Sequence, residues 1–284
     1  LFKFTIRLFK QAEGRRLTTL EAHDLVCMIA TCVVVGGVRR SALISLSDLF
    51  DDRMRDAKSG QWYLTEVQRS LANNSYVAKE NMEIGVFMKE WLALYQSKSG
   101  ERGIFSRDAS KKKAAENGRR DPKHDFGTNP CSEIILRNKQ FCNLSEVVVR
   151  AKDTPETLER KVRLATIIGT LQSSLTDFRY LSRKWKENCE EERLLGVSLT
   201  GIMSNSLMNG RYEQKAEAIL LLEKLRTAAV ETNKEWADKL GINQSTAITC
   251  VKPSGTVSQL VNTPSGIHPA HAPHYVRRVR GDKK

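Results

Sequence analysis

Helix-period stretches alternating with short β-compatible runs constrain the fold of this chain more than any other feature. After Thr154-Pro155, apolar residues recur every three or four positions: Leu158, Val162, Ala165, Ile168, Leu171, Leu175, Phe178, Leu181 and Trp185. That spacing puts one stripe on one face and predicts a single long amphipathic helix, opened by threonine and proline. A second long helix is predicted from Glu213 to Leu240, stopped by Gly241. Between the two, Leu194 to Leu199 reads as a short apolar strand, and after the second, Thr246 to Val251 reads as a buried strand. Upstream, Thr18-Thr19-Leu20-Glu21 fits a capping box, and an apolar helix is expected to run on to Gly36-Gly37. Ser41 to Leu46 alternates, and Asn81 to Ser97 reads as a helix with Val86, Phe87, Trp91 and Leu94 on one stripe, closed by Gly100. Strands alternating with helices imply an α/β fold with a parallel or mixed sheet. Periodicity does not choose between a barrel and an open sheet. With no internal repeat or low-complexity linker, residues 1–284 read as part of one α/β domain.

Composition narrows the function classes. The chain carries a net charge of +13, which calls for anionic partners. The basic residues are dispersed apart from Lys111-Lys112-Lys113 and Arg119-Arg120, a stretch expected to be a solvated loop. Aromatic residues make up 7%, with no aromatic-arginine ladder for stacking bases, so direct nucleic-acid binding is not expected. Polyphosphate substrates fit the charge instead. No apolar run approaches the ~20 residues of a membrane span. Leu1 to Arg7 is interrupted by charge and lacks a cleavage site, so it does not read as a signal peptide. The absence of an initiator Met and the abrupt Arg280-Gly281-Asp282-Lys283-Lys284 ending make the chain read as a piece of a longer polypeptide. Six cysteines include no Cys-x-x-Cys pair, which argues against zinc, and a reducing cytoplasm is the default setting. Cys27, Cys32 and Cys250 read as small buried hydrophobes, and Cys189 as incidental. His268, His271 and His274 are separated by Pro269 and Pro273, so no shared metal-binding face is expected.

Three segments carry candidate chemistry. In Asn129-Pro130-Cys131-Ser132-Glu133, Pro130 excludes a helix interior and favours extended backbone. Asn129, Cys131 and Glu133 then share a face, bringing together an amide, a thiol and a carboxylate. The alternative is an edge strand with a buried cysteine and two solvated polar groups. Ser254-Gly255-Thr256-Val257-Ser258 follows a strand and opens a short helix, where free N–H groups favour phosphate. An ordinary turn is the alternative. Gly36-Gly37-Val38-Arg39-Arg40 is either a helix C-cap or an adaptable loop whose arginines reach an anionic ligand.

These segments, together with Phe141-Cys142-Asn143-Leu144-Ser145-Glu146 and Leu195-Gly196-Val197, resemble in kind and order the motifs of ribonucleotide reductases, with spelling closest to the adenosylcobalamin-dependent class. The resemblance runs from about Leu17 to Lys284. It implies part of a ten-stranded α/β barrel with a central finger loop carrying Cys131, and lacking the first and last strands. It implies a thiyl radical on Cys131 that abstracts the substrate 3′ hydrogen, Glu133 as base at the 3′-hydroxyl, and Asn129 holding the sugar hydroxyls. Cys142 matches one member of the redox pair, whose partner lies upstream of the chain. Ser254 to Ser258 match the substrate phosphate loop, and Gly36 to Arg40 the loop that couples effector to substrate choice. The implied cofactor is adenosylcobalamin. The implied partners are a ribonucleotide, a deoxynucleotide or ATP effector, and a thioredoxin or glutaredoxin-type reductant. A class with a separate radical subunit, or a folded segment inactive by itself, are the alternatives.

Overall fold

The computed structural model describes residues 1–35, 38–39, 41–78, 82–98, 100–210 and 215–276, with backbone only at 34, 35, 38 and 39. Gly36, Gly37 and Arg40 of the expected effector loop therefore lie outside the described residues, as do the side chains of Val38 and Arg39. The chain forms two compact units, one on Leu1–Lys112 and one on the described residues from Lys113 onward. Among the described residues, no helix is long and apolar enough to cross a membrane.

The first unit opens with α1 (Phe2–Gln11) and α2 (Thr19–Ala30). The capping box forms as expected: Glu21 N–H donates to Thr18 Oγ1 at 3.2 Å, and Thr18 N–H donates to Glu21 Oε2 at 2.8 Å. The helix does not run on to Gly36. It ends at Ala30, because β-branched Val33 to Val35 favour extended backbone, and β1 (Val34–Val35) pairs antiparallel with β2 (Val38–Arg39). Cys32 consequently lies past the helix and is exposed, not buried, while Cys27 is buried.

Next come β3 (Leu43–Ser47), α3 (Asp52–Arg55), α4 (Trp62–Thr65), a 3₁₀ turn at Val67–Leu71, β4 (Ala72–Ala78), α5 (Ile84–Ser97) and β5 (Gly103–Ser106). The three strands form a parallel sheet in the order β3-β4-β5. Helix α5 ends at Ser97 as expected, and Lys98 takes the left-handed cap position at φ 51°. Two charge clusters hold this unit. Glu90, 4% exposed, lies between Arg55 and Arg102. Asp24 receives both Nε and Nη2 of Arg69, at 2.7 and 2.6 Å. Helix α6 (Arg107–Ala115) follows. The basic stretch Lys111 to Arg120 is thus partly helical and not a solvated loop, and Arg120 at its end is buried.

The second unit contains β6 (Gly127–Thr128), β7 (Ile135–Leu136), β8 (Asn143–Val148), α7 (Pro155–Gln172), α8 (Arg183–Glu192), β9 (Leu195–Thr200), α9 (Lys215–Leu240) and α10 (Thr256–Leu260). Strands β6 and β7 are an antiparallel hairpin, and β8 and β9 pair in parallel with Asn143 opposite Leu195. The crossover through α7 and α8 makes this a βαβ unit, the arrangement a parallel pair requires. Among the described residues the strands form four small separate sheets, β3-β4-β5 and β8-β9 parallel, β1-β2 and β6-β7 antiparallel, and not one continuous sheet.

The single helix expected from Leu158 to Trp185 is two helices. The apolar spacing continues across the break, but Ser173 and Ser174 turn their hydroxyls back onto Thr170 and Leu171 carbonyls at 2.7 Å, and α7 ends there. Thr246 to Val251 is not a regular buried strand either. It runs beside β9 with one bridge, Val197 to Thr249, and with the Leu195 N–H donating to the Ala247 carbonyl at 2.9 Å and the Cys250 N–H to the Val197 carbonyl at 3.0 Å, but Val251 is 67% exposed.

The core lies between the β8–β9 pair and the two long helices. Val147 and Val149 meet Leu158, Val162 and Ala165 of α7, Leu221, Leu225 and Ala229 of α9, and Leu195, Val197 and Ile248. Gly169 lets α7 approach β9: a methyl group there would meet the Leu195 side chain at 3.4 Å.

Candidate active site

The alternation of a strand decides which residues face the chemistry. On β8 and β9, Val147, Val149, Leu195 and Val197 point into the helical core. The other face therefore carries Cys142, Leu144 and Glu146 from one strand and Gly196 and Ser198 from its neighbour. Gly196 keeps that face open. A Cβ there would lie 2.4 Å from Leu144 Cδ2, 3.0 Å from Cys250 Sγ and 3.1 Å from Ile134 Cδ1. The hairpin end, the Cys142 strand and the Cys250 segment thus meet over one glycine.

The Asn129–Glu133 segment is not extended, as the proline suggested. It is the loop of the β6–β7 hairpin. The chain turns through Asn129–Ser132, with the Ser132 N–H donating to the Asn129 carbonyl at 2.9 Å and Ser132 at φ 62°. The turn brings Asn129 and Glu133 into direct contact, Nδ2 donating to Oε2 at 2.7 Å. The Ile134 N–H donates to Asn129 Oδ1 at 3.1 Å, and the Thr128 hydroxyl donates to the Ile134 carbonyl at 2.9 Å. The Glu133 side chain is 1% exposed and accepts from Lys252 Nζ at 3.4 Å. Cys131, at the tip, is exposed.

Behind the hairpin, burial pushes the Cys142 thiol far up, with Cys250 and Glu133 adding to it. Burial first, then Glu133, pushes Cys250 up to about 12. Both sulfurs are held as thiols at neutral pH. Glu146 keeps one buried carboxylate oxygen without a hydrogen-bond partner.

A buried polar clamp fixes this geometry. Arg120 donates to Glu192 Oε1 and Oε2 at 3.0 and 2.8 Å, to the Ile135 carbonyl at 2.8 Å, and to Gln140 Oε1 at 3.2 Å. Its guanidinium also lies 4.7 Å from the centroid of the buried Phe126 ring. Gln140 in turn donates to Glu192 Oε2 at 2.5 Å and accepts the Arg137 N–H at 2.9 Å. Phe141 stacks on Trp185 at 4.7 Å, and its N–H donates to the Cys189 sulfur at 3.3 Å. Cys189 is therefore buried and engaged, not incidental.

The Ser254–Ser258 segment opens α10, as expected. The first-turn N–H groups of that helix have no intrahelical partner. Ser254 is 2% exposed and its hydroxyl has no hydrogen-bond partner among the described residues. Ser258 is committed internally, donating to the Gly255 carbonyl at 2.7 Å, while Thr256 and Val257 are exposed. A side chain on Gly255 would point into open space, with no described protein atom within 4 Å.

The structure thus joins Asn129, Glu133, Cys142 and Lys252 in one neighbourhood. Sequence reasoning gave no role to Arg120, Gln140, Glu146, Glu192 or Lys252, and read as a buried hydrophobe the Cys250 that is only half-buried. Lys252 alone carried a signal: a cation directly before a Pro-Ser-Gly loop.

No family model matches the chain. It is 30% identical to the adenosylcobalamin-dependent ribonucleoside-triphosphate reductase of Lacticaseibacillus paracasei, over 96% of this chain and 39% of that protein. It is 29% identical to the reductase of the same name from Lactobacillus leichmannii, over 94% of this chain and 38% of that one. The chain therefore spans about two fifths of the length of these relatives. A crystal structure of a B-12 dependent (class II) ribonucleotide reductase superposes with a TM-score of 0.69 at 26% identity, covering 92% of this chain and 38% of that one. The alpha subunit of the Actinobacillus ureae class Id ribonucleotide reductase superposes at 0.61 with 15% identity, over 89% and 54%, a likeness of fold alone. The resemblance read from the motifs is borne out by these similarities, and so is the α/β fold class.

Proposed function

We propose that this chain is the central catalytic segment of an adenosylcobalamin-dependent ribonucleotide reductase, one α/β barrel domain with the Asn129–Glu133 hairpin as its finger loop. The observation that carries the reading is the hairpin itself: an exposed cysteine at the tip, a buried carboxylate held by an amide below it, and a half-buried thiol at the start of the strand beneath. The relatives' names favour ribonucleoside triphosphates as substrate and a cobalamin class over one with a separate radical subunit.

Cys131 fits a bulky organic cofactor because it sits at an open loop tip. When bound, adenosylcobalamin would supply the one-electron oxidation that leaves a radical on the Cys131 sulfur. Cys131 then takes the 3′ hydrogen of the ribose: a C–H bond breaks and an S–H bond forms. Glu133 accepts the 3′-hydroxyl proton as the 2′-hydroxyl takes a proton from the Cys142 thiol and departs as water. The Asn129 amide, fixed by its Glu133 and Ile134 bonds, aligns the sugar hydroxyls. The thiol of Cys142, kept protonated by burial, supplies hydrogen and electrons from the strand below and needs a second cysteine to close a disulfide. That disulfide is re-reduced by a thioredoxin or glutaredoxin-type protein. Ser254 to Ser258 hold the substrate phosphates, with the Ser254 hydroxyl and the first-turn N–H groups as donors. Gly36 to Arg40 transmit the identity of a deoxynucleotide or ATP effector. The setting is the cytoplasm.

The test is made in a full-length reductase carrying this segment. Cys131→Ser is expected to abolish nucleotide reduction with folding intact. Cys142→Ser is expected to keep 3′-hydrogen exchange while losing deoxynucleotide formation. Turnover above a few per cent in Cys131→Ser would contradict the radical assignment.

A further inference from the structure

Lys252 is left without a task by the mechanism above. Its ammonium lies 3.4 Å from Glu133 Oε1, and Glu133 is its only hydrogen-bond partner among the described residues. The Lys252 side chain is 25% exposed and the Glu133 side chain 1%. A carboxylate that deeply buried is strongly unfavourable without a counter-charge. Asn129 gives it a hydrogen bond but no charge. The titratable groups facing Glu133 are the Cys142 thiol just before β8, the Cys250 thiol, and Lys252 from the segment after Cys250. Glu146 acts on the same Cys250 sulfur, and Arg120 on Cys142. Of these groups, Lys252 alone is a cation bonded to Glu133. It is also joined through rigid Pro253 to Ser254 and Gly255.

We infer that Lys252 is a positioning residue acting through Glu133: it balances and aims the buried carboxylate, and ties its placement to the loop that receives the substrate phosphates. The inference rests on the reductase reading. An ammonium has three donors and one is used here. The remaining donors can follow the loop as a nucleotide seats while the contact to Glu133 is kept.

The experiment is a double-mutant cycle in the full-length reductase, with kcat and KM measured for a ribonucleoside triphosphate. Lys252→Met is expected to lower kcat by about tenfold or more with KM changed only a few-fold, the signature of an interaction used in the chemical step. Lys252→Arg is expected to recover most of the loss. Adding Lys252→Met to Glu133→Gln is expected to cost nothing further, because the charge Lys252 balances is already gone. A Lys252→Met kcat within twofold of wild type, a loss that adds fully to that of Glu133→Gln, or an Arg variant no better than Met would each overturn the inference. Should Lys252→Met fold poorly, the double variant is expected to regain stability, and a double variant equally unstable overturns it. An inactive wild-type enzyme would instead overturn the reductase reading and this inference with it.

Discussion

His23 shows how a single side chain can carry a charge into the interior. It is 9% exposed, its Nε2 lies 3.0 Å from Asn74 Oδ1, and its Nδ1 lies 3.4 Å from Asp24 Oδ1. Burial opposes the charge, but the Asp24 bond, the neighbouring Cys27 sulfur and Asn74 outweigh it and push His23 up to about 9. A raised folded-state value means stability that is fully present below the ordinary histidine value of ~6.5 and lost as pH rises through about 9. The urea midpoint of the protein is therefore expected to fall between pH 6 and pH 9.5, and His23→Gln is expected to flatten that fall. An equal fall in both proteins would remove His23 as the source. The cysteines provide a second residue-scale check. Cys32 and Cys131 are exposed, whereas Cys142 and Cys250 are pushed up by burial and held as thiols. Iodoacetamide near pH 8, followed by peptide mass spectrometry, is expected to label Cys32 and Cys131 well before Cys142 and Cys250. Early labelling of Cys142 would contradict its place beneath the hairpin.

Two glycines separate backbone strain from crowding at the scale of an element. Gly201 ends β9 at φ 79°, and a Cβ there would sit 2.2 Å from Thr263 Oγ1 and 2.7 Å from the Val149 carbonyl. Gly241 ends α9 at φ 64° with no atom within 4 Å of the same position. Gly241→Ala meets only the left-handed backbone penalty, about 1–2 kcal/mol. Gly201→Ala adds overpacking of roughly 1–3 kcal/mol on top. Thermal midpoints of the two variants are expected to differ, with Gly201→Ala the lower, and the reverse order would contradict the packing of the 263–266 segment on β9. That segment is also pinned by the Gly266 N–H donating to Thr200 Oγ1 at 2.8 Å. A similar internal pin holds α9 to the following loop, where buried Asn233 donates to Thr170 Oγ1 and Ser245 Oγ, both at 3.0 Å.

At the scale of the whole molecule, the exposed apolar surface dominates. On α5, Ile84, Met88 and Tyr95 are 78%, 55% and 77% exposed at helical spacing. The β3-β4-β5 sheet ends in edges with no further regular strand among the described residues, whereas β9 is covered by the backbone of residues 247–250. Open edges and apolar faces favour association. The 284-residue chain expressed by itself is expected to self-associate at micromolar concentrations, read as concentration-dependent mass in light scattering. A monodisperse monomer across that range would contradict this expectation.

Much of this architecture was legible in the residues because the signals are local. Thr18 with Glu21, and Thr154 with Pro155, fix helix starts through bonds within four residues, and both form as read. The α/β class followed from periodicity, and the family from short motifs whose side-chain types the chemistry dictates. Where the sequence misled, a long-range partner decided. The apolar stripe runs unbroken past Ser173, yet Phe178 and Trp185 both pack on Phe141, so the chain turns there to reach it. Pro130 favours extended backbone, but the β6–β7 pairing forces a turn, and only the turn lets Asn129 reach Glu133. Arg120 reads as part of a solvated basic run until Glu192, 72 positions away, supplies its buried partner. Lys252 and Glu133 are 119 positions apart. Spacing reports which residues share a helix or strand face. It carries no information on which faces meet, because that is settled by packing between elements distant in the chain, and the candidate site lies where those elements converge.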